Sequence, residues 1–219
     1  MNLIKYIILG IIQGITEPLP ISSSGHIFIF KQLFNTNIFN DLNFEIFVNF
    51  GSFIAILIIF WKDVINLLNG FFKYIFDKKN REKYQKEFKY CLMIIIGTIP
   101  VGLLGILFKD EIETTLSKTW IVGLMFIITG ICLLIVKNIN GNKGDYDITY
   151  KDAIIIGLIE GLALFPGLSR SGMVLVGCLL CKLNKSSALK YTFMLYFPVS
   201  IATMLLGVKD VIETGISAN

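Results

Sequence analysis

Two short segments hold most of the residues able to do chemistry. The first reads GIIQGITEPLPISSSGH over residues 10–26, the second GLIEGLALFPGLSRSGM over 157–173. They align without a gap at an offset of 147 residues, with Gly10 on Gly157, Gln13 on Glu160, Ser22 on Ser169, Ser24 on Ser171 and Gly25 on Gly172. Each passes from an apolar stretch, through a Pro-containing break, into a Ser-rich turn that opens a helix. Serine is a favoured N-cap, and the first N–H groups of a helix have no internal partner. They carry about half a positive charge and bind anions, phosphate in particular. Ser22, Ser24 and Gly25 in one turn, and Ser169, Ser171 and Gly172 in the other, are therefore candidate phosphate-binding positions.

Four further side chains add reactivity. Arg170 is a planar fork of donors suited to phosphate oxygens. It stands in an otherwise uncharged segment, where an arginine marks function unless it snorkels to an interface or pairs for packing. Glu17 lies in the other apolar segment and needs a cation, either Arg170 or a metal. Gln13 lies at i−4 on the same helix face, so Gln13 and Glu17 could ligate Mg²⁺ or Ca²⁺ through oxygen. His26 is the only histidine in the chain, and beside hydroxyls and an anion site it suits acid–base work near neutral pH. Ser23 is a candidate nucleophile or phosphate ligand. Covalent attack and direct attack by water are both open.

The elements that position these groups must work in a bilayer. The chain of 219 residues is 54% hydrophobic and 16% charged, with mean hydropathy +0.71. A soluble domain carries about 25% charged residues. Apolar runs of spanning length, about 20 residues, fall at 44–61, 90–108 and 119–137, with a fourth at 190–208. The net charge of +4 is spread over loops and gives no case for nucleic acid. Cys91, Cys132, Cys178 and Cys181 lie in apolar runs and read as packing residues. No cleavable leader is evident.

The expected fold is all-α: a polytopic membrane protein, one domain over 1–219, with two inverted-repeat units at about 1–61 and 150–208. Residues 3–16 predict a helix broken by Pro18 and Pro20, with a second short helix from the triple serine to about Phe34. Residues 153–165 predict a helix of about 13 residues, roughly 20 Å, too short for about 30 Å of hydrocarbon. Another short helix follows Pro166-Gly167, to about Leu183. Both units read as discontinuous or re-entrant pairs, which a membrane tolerates only around a cavity or within protein. Residues 62–89 form a charged stretch with eight Lys or Arg and are placed in the cytoplasm with 137–151; 35–43 and 109–118 are placed outside. Glu45 and Asn49, and at the same offset Thr192 and Tyr196, are candidate cavity residues. Trp61 and Trp120 are read as interface anchors.

At these residues the chain resembles the bacitracin-resistance type undecaprenyl-diphosphatases. Gln13, Glu17, Pro20, Ser22, Ser23, Ser24, Gly25 and His26 match one signature of that family. Pro166, Gly167, Ser169, Arg170, Ser171 and Gly172 match the other. The stretches FEIFVNFGSFIAIL and ALKYTFMLYFP are also similar to family helices. The resemblance implies hydrolysis of the C55 polyprenyl diphosphate to the monophosphate in the plasma membrane, recycling the carrier for cell-wall synthesis. It implies a divalent cation on Gln13 and Glu17, Ser23 as nucleophile, His26 as acid–base and Arg170 as phosphate clamp. Pro18, Asn49 and Thr192 depart from the usual pattern. Family members run on through further membrane helices, so the chain reads as shortened at its C-terminus. A lipid-phosphate transporter or flippase, or an inactive truncated relative, is the alternative. A homodimer is a further expectation.

Overall fold

The computed structural model describes residues 2–34, 42–108 and 118–214. The described chain is all-α, with eight α-helices: α1 (Asn2–Thr16), α2 (Ser23–Leu33), α3 (Leu42–Phe76), α4 (Gln85–Leu107), α5 (Thr119–Val136), α6 (Tyr150–Leu162), α7 (Arg170–Leu180) and α8 (Lys185–Thr214). Within these residues there is no named strand, only an isolated bridge between Lys143 and Leu183. Four helices are long and apolar enough to cross a membrane: Ile46–Phe76, Arg81–Leu107, Thr119–Val136 and Lys185–Lys209.

The broken pairs form as the prolines and serines require. α1 stops at Thr16, ahead of Pro18 and Pro20, and α2 starts at Ser23 behind an N-cap at Ser22. α6 has 13 residues, and Pro166-Gly167 separates it from α7. Gly167 takes φ +91, a left-handed conformation that glycine adopts without steric cost. Each pair packs as a hairpin, α1 on α2 and α6 on α7.

The span at 44–61 is longer than expected. α3 runs unbroken for 35 residues, about 52 Å, and the charges at Lys62 and Asp63 do not end it. The reason is tertiary: Asp63 Oδ1 lies 2.6 Å from Lys190 Nζ, which also reaches Asp145 Oδ2 at 3.0 Å. The helix stops at Phe76, where Asp77 accepts from the Asn80 side-chain amide at 2.9 Å. The 62–89 stretch is thus the end of α3, a turn, a 3₁₀ segment at Arg81–Tyr84 and the start of α4. α7 ends at Leu180 rather than near Leu183. The predicted loops at 35–43 and 109–118 lie almost wholly outside the described residues. Trp61 and Trp120 are both exposed, and all four cysteines are free thiols.

α6 fixes the site through one buried face, carrying Asp152, Ala153, Ile156, Gly157, Glu160 and Gly161. Its N-terminus carries a reciprocal cap: the Thr149 hydroxyl accepts from Asp152 N at 3.2 Å, and Asp152 Oδ2 accepts from Thr149 N at 2.9 Å. Lys143 Nζ donates to the same carboxylate oxygen at 2.7 Å. Burial opposes ionisation of Asp152, but these donors outweigh it and hold the carboxyl below its ordinary range.

The most extensive helix contact in the fold is between α6 and α4, and it depends on glycine. A Cβ on Gly157 would stand 2.1 Å from the Gly97 carbonyl oxygen and 3.1 Å from Pro100 Cδ. Small residues are what lets membrane helices approach this closely. From α8, the fully buried Tyr191 donates its hydroxyl to the Met93 carbonyl at 2.7 Å and ties down the same helix. Gly157→Ala forces α6 off α4, because its contact is backbone and cannot rotate away. We expect a loss of about 1–3 kcal/mol, read as a fall in the thermal midpoint in detergent. A wild-type midpoint would refute the close packing.

Candidate active site

The two serine turns are built alike. Ser22 Oγ accepts from Gly25 N at 3.3 Å, and Ser169 Oγ accepts from Gly172 N at 3.1 Å. Ser22 and Ser24 hydroxyl oxygens are 3.5 Å apart, those of Ser169 and Ser171 3.4 Å. The backbones differ at one point: Ser22 takes φ +66, whereas Ser169 is extended. The second turn is held from outside, with Ser169 N donating to Thr129 Oγ1 at 3.2 Å.

The turns face one another. A Cβ on Gly25 would lie 3.0 Å from Gly167 Cα, and one on Gly172 would lie 3.2 Å from the Pro20 carbonyl. Pro20 and Gly167 are equivalent at the 147-residue offset, as are Gly25 and Gly172. The contacts are therefore reciprocal. Ser171 Oγ also donates to the Leu19 carbonyl at 3.3 Å.

Between the two hairpins, closed by α3 and α8, lies a cavity of about 330 Å³. Gln13, Glu17, Ser22, Ser23, Ser24, Ser169, Arg170 and Ser171 all line it, as do Asn49, Glu160, Thr192 and Tyr196. Gly25 and Gly172 do not; they stand where the turns pack. The Glu45 side chain is outside the described residues.

Glu17 is the hub. Its Oε2 accepts from Gln13 Nε2 at 2.8 Å and from the Ser23 hydroxyl. Its Oε1 lies 3.3 Å from Arg170 Nη2. Gln13 Nε2 donates also to Asn49 Oδ1 at 2.9 Å, so both of these bonds use the amide nitrogen and neither uses Oε1. The Arg170 guanidinium lies 5.0 Å from the centre of the Tyr196 ring, and its Nη2 reaches Ser200 Oγ at 3.5 Å. The pair spans 153 positions in sequence and joins the first unit to the second.

His26 sits differently. Its Nδ1 is 2.8 Å from the Ser22 carbonyl, and its ring lies 5.0 Å from that of Phe126. It does not line the cavity. A carbonyl oxygen only accepts, so Nδ1 carries the hydrogen and Nε2 is the basic nitrogen of the neutral ring.

Sequence reasoning missed Ser200, Thr129 and Phe126. Ser200 lies at i+4 from Tyr196, a spacing that could have been read. Thr129 is an isolated hydroxyl in the most apolar helix, and the Phe126 contact has no sequence signal.

Residues 6–218 match the model of the bacitracin resistance protein BacA family. The chain belongs to that family. It is 40% identical over 214 residues to an undecaprenyl-diphosphatase of Oceanobacillus iheyensis, covering 97% of this chain and 77% of that protein. It is 41% identical over 209 residues to undecaprenyl-diphosphatase 2 of Bacillus thuringiensis, covering 95% and 76%. Undecaprenyl-diphosphatase 1 of Halalkalibacterium halodurans is 37% identical over 211 residues. In this BacA-family chain the match takes in α2, α6, α7, most of α1 and all the residues around Glu17 and Arg170.

Proposed function

We propose that the chain is a membrane phosphatase that hydrolyses undecaprenyl diphosphate to the monophosphate and inorganic phosphate, recycling the carrier lipid and conferring bacitracin resistance. The observation that carries this is the Ser23 hydroxyl donating to Glu17 in a cavity that also holds Arg170 and two serine-capped helix N-termini. A carrier of lipid phosphates needs the anion site but not a hydroxyl poised on a carboxylate. The relatives' names point the same way.

In this reading Arg170 and the N–H groups of the two turns bind the diphosphate. Ser23 Oγ attacks the terminal phosphorus as its proton passes to Glu17. The bond to the bridging oxygen breaks, and the lipid monophosphate leaves. Water then attacks the phosphoserine, releasing phosphate and restoring the hydroxyl. His26, with Nδ1 fixed, exchanges protons through Nε2; acid–base contacts often tighten only when substrate is bound.

Around Glu17 stand a carboxylate, Asn49 Oδ1 and the Gln13 amide, whose nitrogen faces the other two; turning that amide over would present its oxygen and make the set one of hard oxygens. Among the described residues no three His, Cys, Asp or Glu cluster. Mg²⁺ is commonly held by one or two carboxylates with substrate phosphate completing the shell, so Gln13 and Glu17 fit such an ion. It would neutralise charge on the diphosphate. We further infer that the reciprocal turn contacts reflect an inverted repeat, and that the membrane is the plasma membrane.

The test is phosphate release from undecaprenyl diphosphate in detergent with Mg²⁺ or Ca²⁺, wild type beside His26→Ala. Wild type should release phosphate, and His26→Ala should be slower by about 10²-fold. A folded wild type that binds the lipid but releases nothing would move the reading to a carrier.

A further inference from the structure

Glu160 is 1% exposed, lines the cavity, and has no hydrogen-bond partner for either carboxylate oxygen among the described residues. Its equivalent in the first unit, Gln13, donates through its amide nitrogen to both Glu17 and Asn49. At the same offset the second unit has Leu164 in place of Glu17 and Tyr196 in place of Asn49. The side chain has therefore been left in the cavity without the two groups that satisfy its twin.

An ionised carboxylate in that position is unfavourable unless a cation meets it. The charged neighbour is Arg170, which already serves Glu17 and Ser200. From α7 the other titratable neighbour is Cys178; from α8 they are Tyr191, whose hydroxyl is committed to Met93, and Tyr196, which lines the same cavity beneath Arg170. The part of α4 packed on this helix, Gly97 to Leu104, offers no titratable group. Across the cavity stands Glu17. None of these supplies a free positive charge, whereas a phosphate on Arg170 would supply an acceptor.

Building on the phosphate site of the previous section, we propose that Glu160 is a specificity-determining residue that enters as the neutral carboxylic acid and donates its O–H hydrogen bond to the anion held at Arg170. No bond is made or broken. Ionisation replaces that donor with a negative charge and expels the anion, so the site binds phosphate groups only while Glu160 keeps its proton.

Sulfate is the probe, because its charge is constant over the range used. Binding to the full chain in detergent is measured by calorimetry between pH 7.5 and 9.5, above the titration of histidine. Wild-type affinity should fall on the order of tenfold or more as pH rises, the scale of one lost hydrogen bond to a charged group. Glu160→Gln, which keeps the shape and a donor but cannot ionise, should bind at pH 7.5 like wild type and stay level to pH 9.5. Titration of every other group survives in that variant and cancels in the comparison. Glu160→Leu, folded by circular dichroism, should bind at least tenfold more weakly throughout. The proposal is overturned if Glu160→Gln follows the wild-type pH curve, or if Glu160→Leu binds like wild type. A wild type that hydrolyses the lipid diphosphate without binding sulfate overturns this role alone. One that does neither overturns the phosphatase reading with it.

Discussion

Arg170→Ala is expected to lower kcat/KM for the lipid diphosphate by about 10³-fold or more, the range for removing a preorganised guanidinium from developing phosphoryl charge. Arg170 carries the ion pair between the second unit and the first: its Nη2 meets Glu17 Oε1 at 3.3 Å and its guanidinium lies over the Tyr196 ring. Arg170→Lys restores the charge but neither the fork nor the stacking, so it should recover little. The loss could instead reflect collapse, because the substitution strips Glu17 of its cation. Circular dichroism and the thermal midpoint in detergent separate the two. A folded Arg170→Ala protein with near wild-type turnover would remove the phosphate clamp from the proposed mechanism.

The second large effect belongs to Glu17. Glu17→Gln keeps the volume and one acceptor but removes the charge that the Ser23 hydroxyl, the Gln13 amide and Arg170 share. A fall in kcat of about 10³–10⁴-fold is expected, the upper part of the range for a positioned base. The pattern of loss matters more than its size. If Glu17 takes the Ser23 proton, Glu17→Gln and Ser23→Ala should each cost about the same as the double variant, since members of one unit are not additive. Multiplying losses would show that the two residues act independently and would remove the dyad.

Much of this site is legible because its signals are local. The two turns follow from serine N-caps and the prolines before them, and the i, i+4 relation of Gln13 and Glu17 is helix geometry. The length of α3 is not local. Lys62 and Asp63 look like the end of a span, and only Lys190, far along the chain, explains how the helix continues. Glu160 is instructive in the same way. Its presence in the cavity could be guessed from its alignment with Gln13. That it lacks hydrogen-bond partners among the described residues depends on Leu164 and Tyr196 standing where Glu17 and Asn49 stand. His26 shows the converse: its neighbours in sequence are polar, yet its ring turns toward Phe126.

The reciprocal packing of the turns carries a consequence for any attempt to simplify the molecule. At the 147-residue offset Arg170 falls on Ser23, and Glu17 falls on Leu164. A chain assembled from two first units would bring two carboxylates to the centre with no guanidinium, and one from two second units would bring two guanidinia and two copies of Glu160, with neither Glu17 nor Ser23. The backbone pattern is repeated, but the charge is antisymmetric. The halves are complementary in the manner of a lock's two plates: neither, doubled, would hold the pair of Glu17 and Arg170.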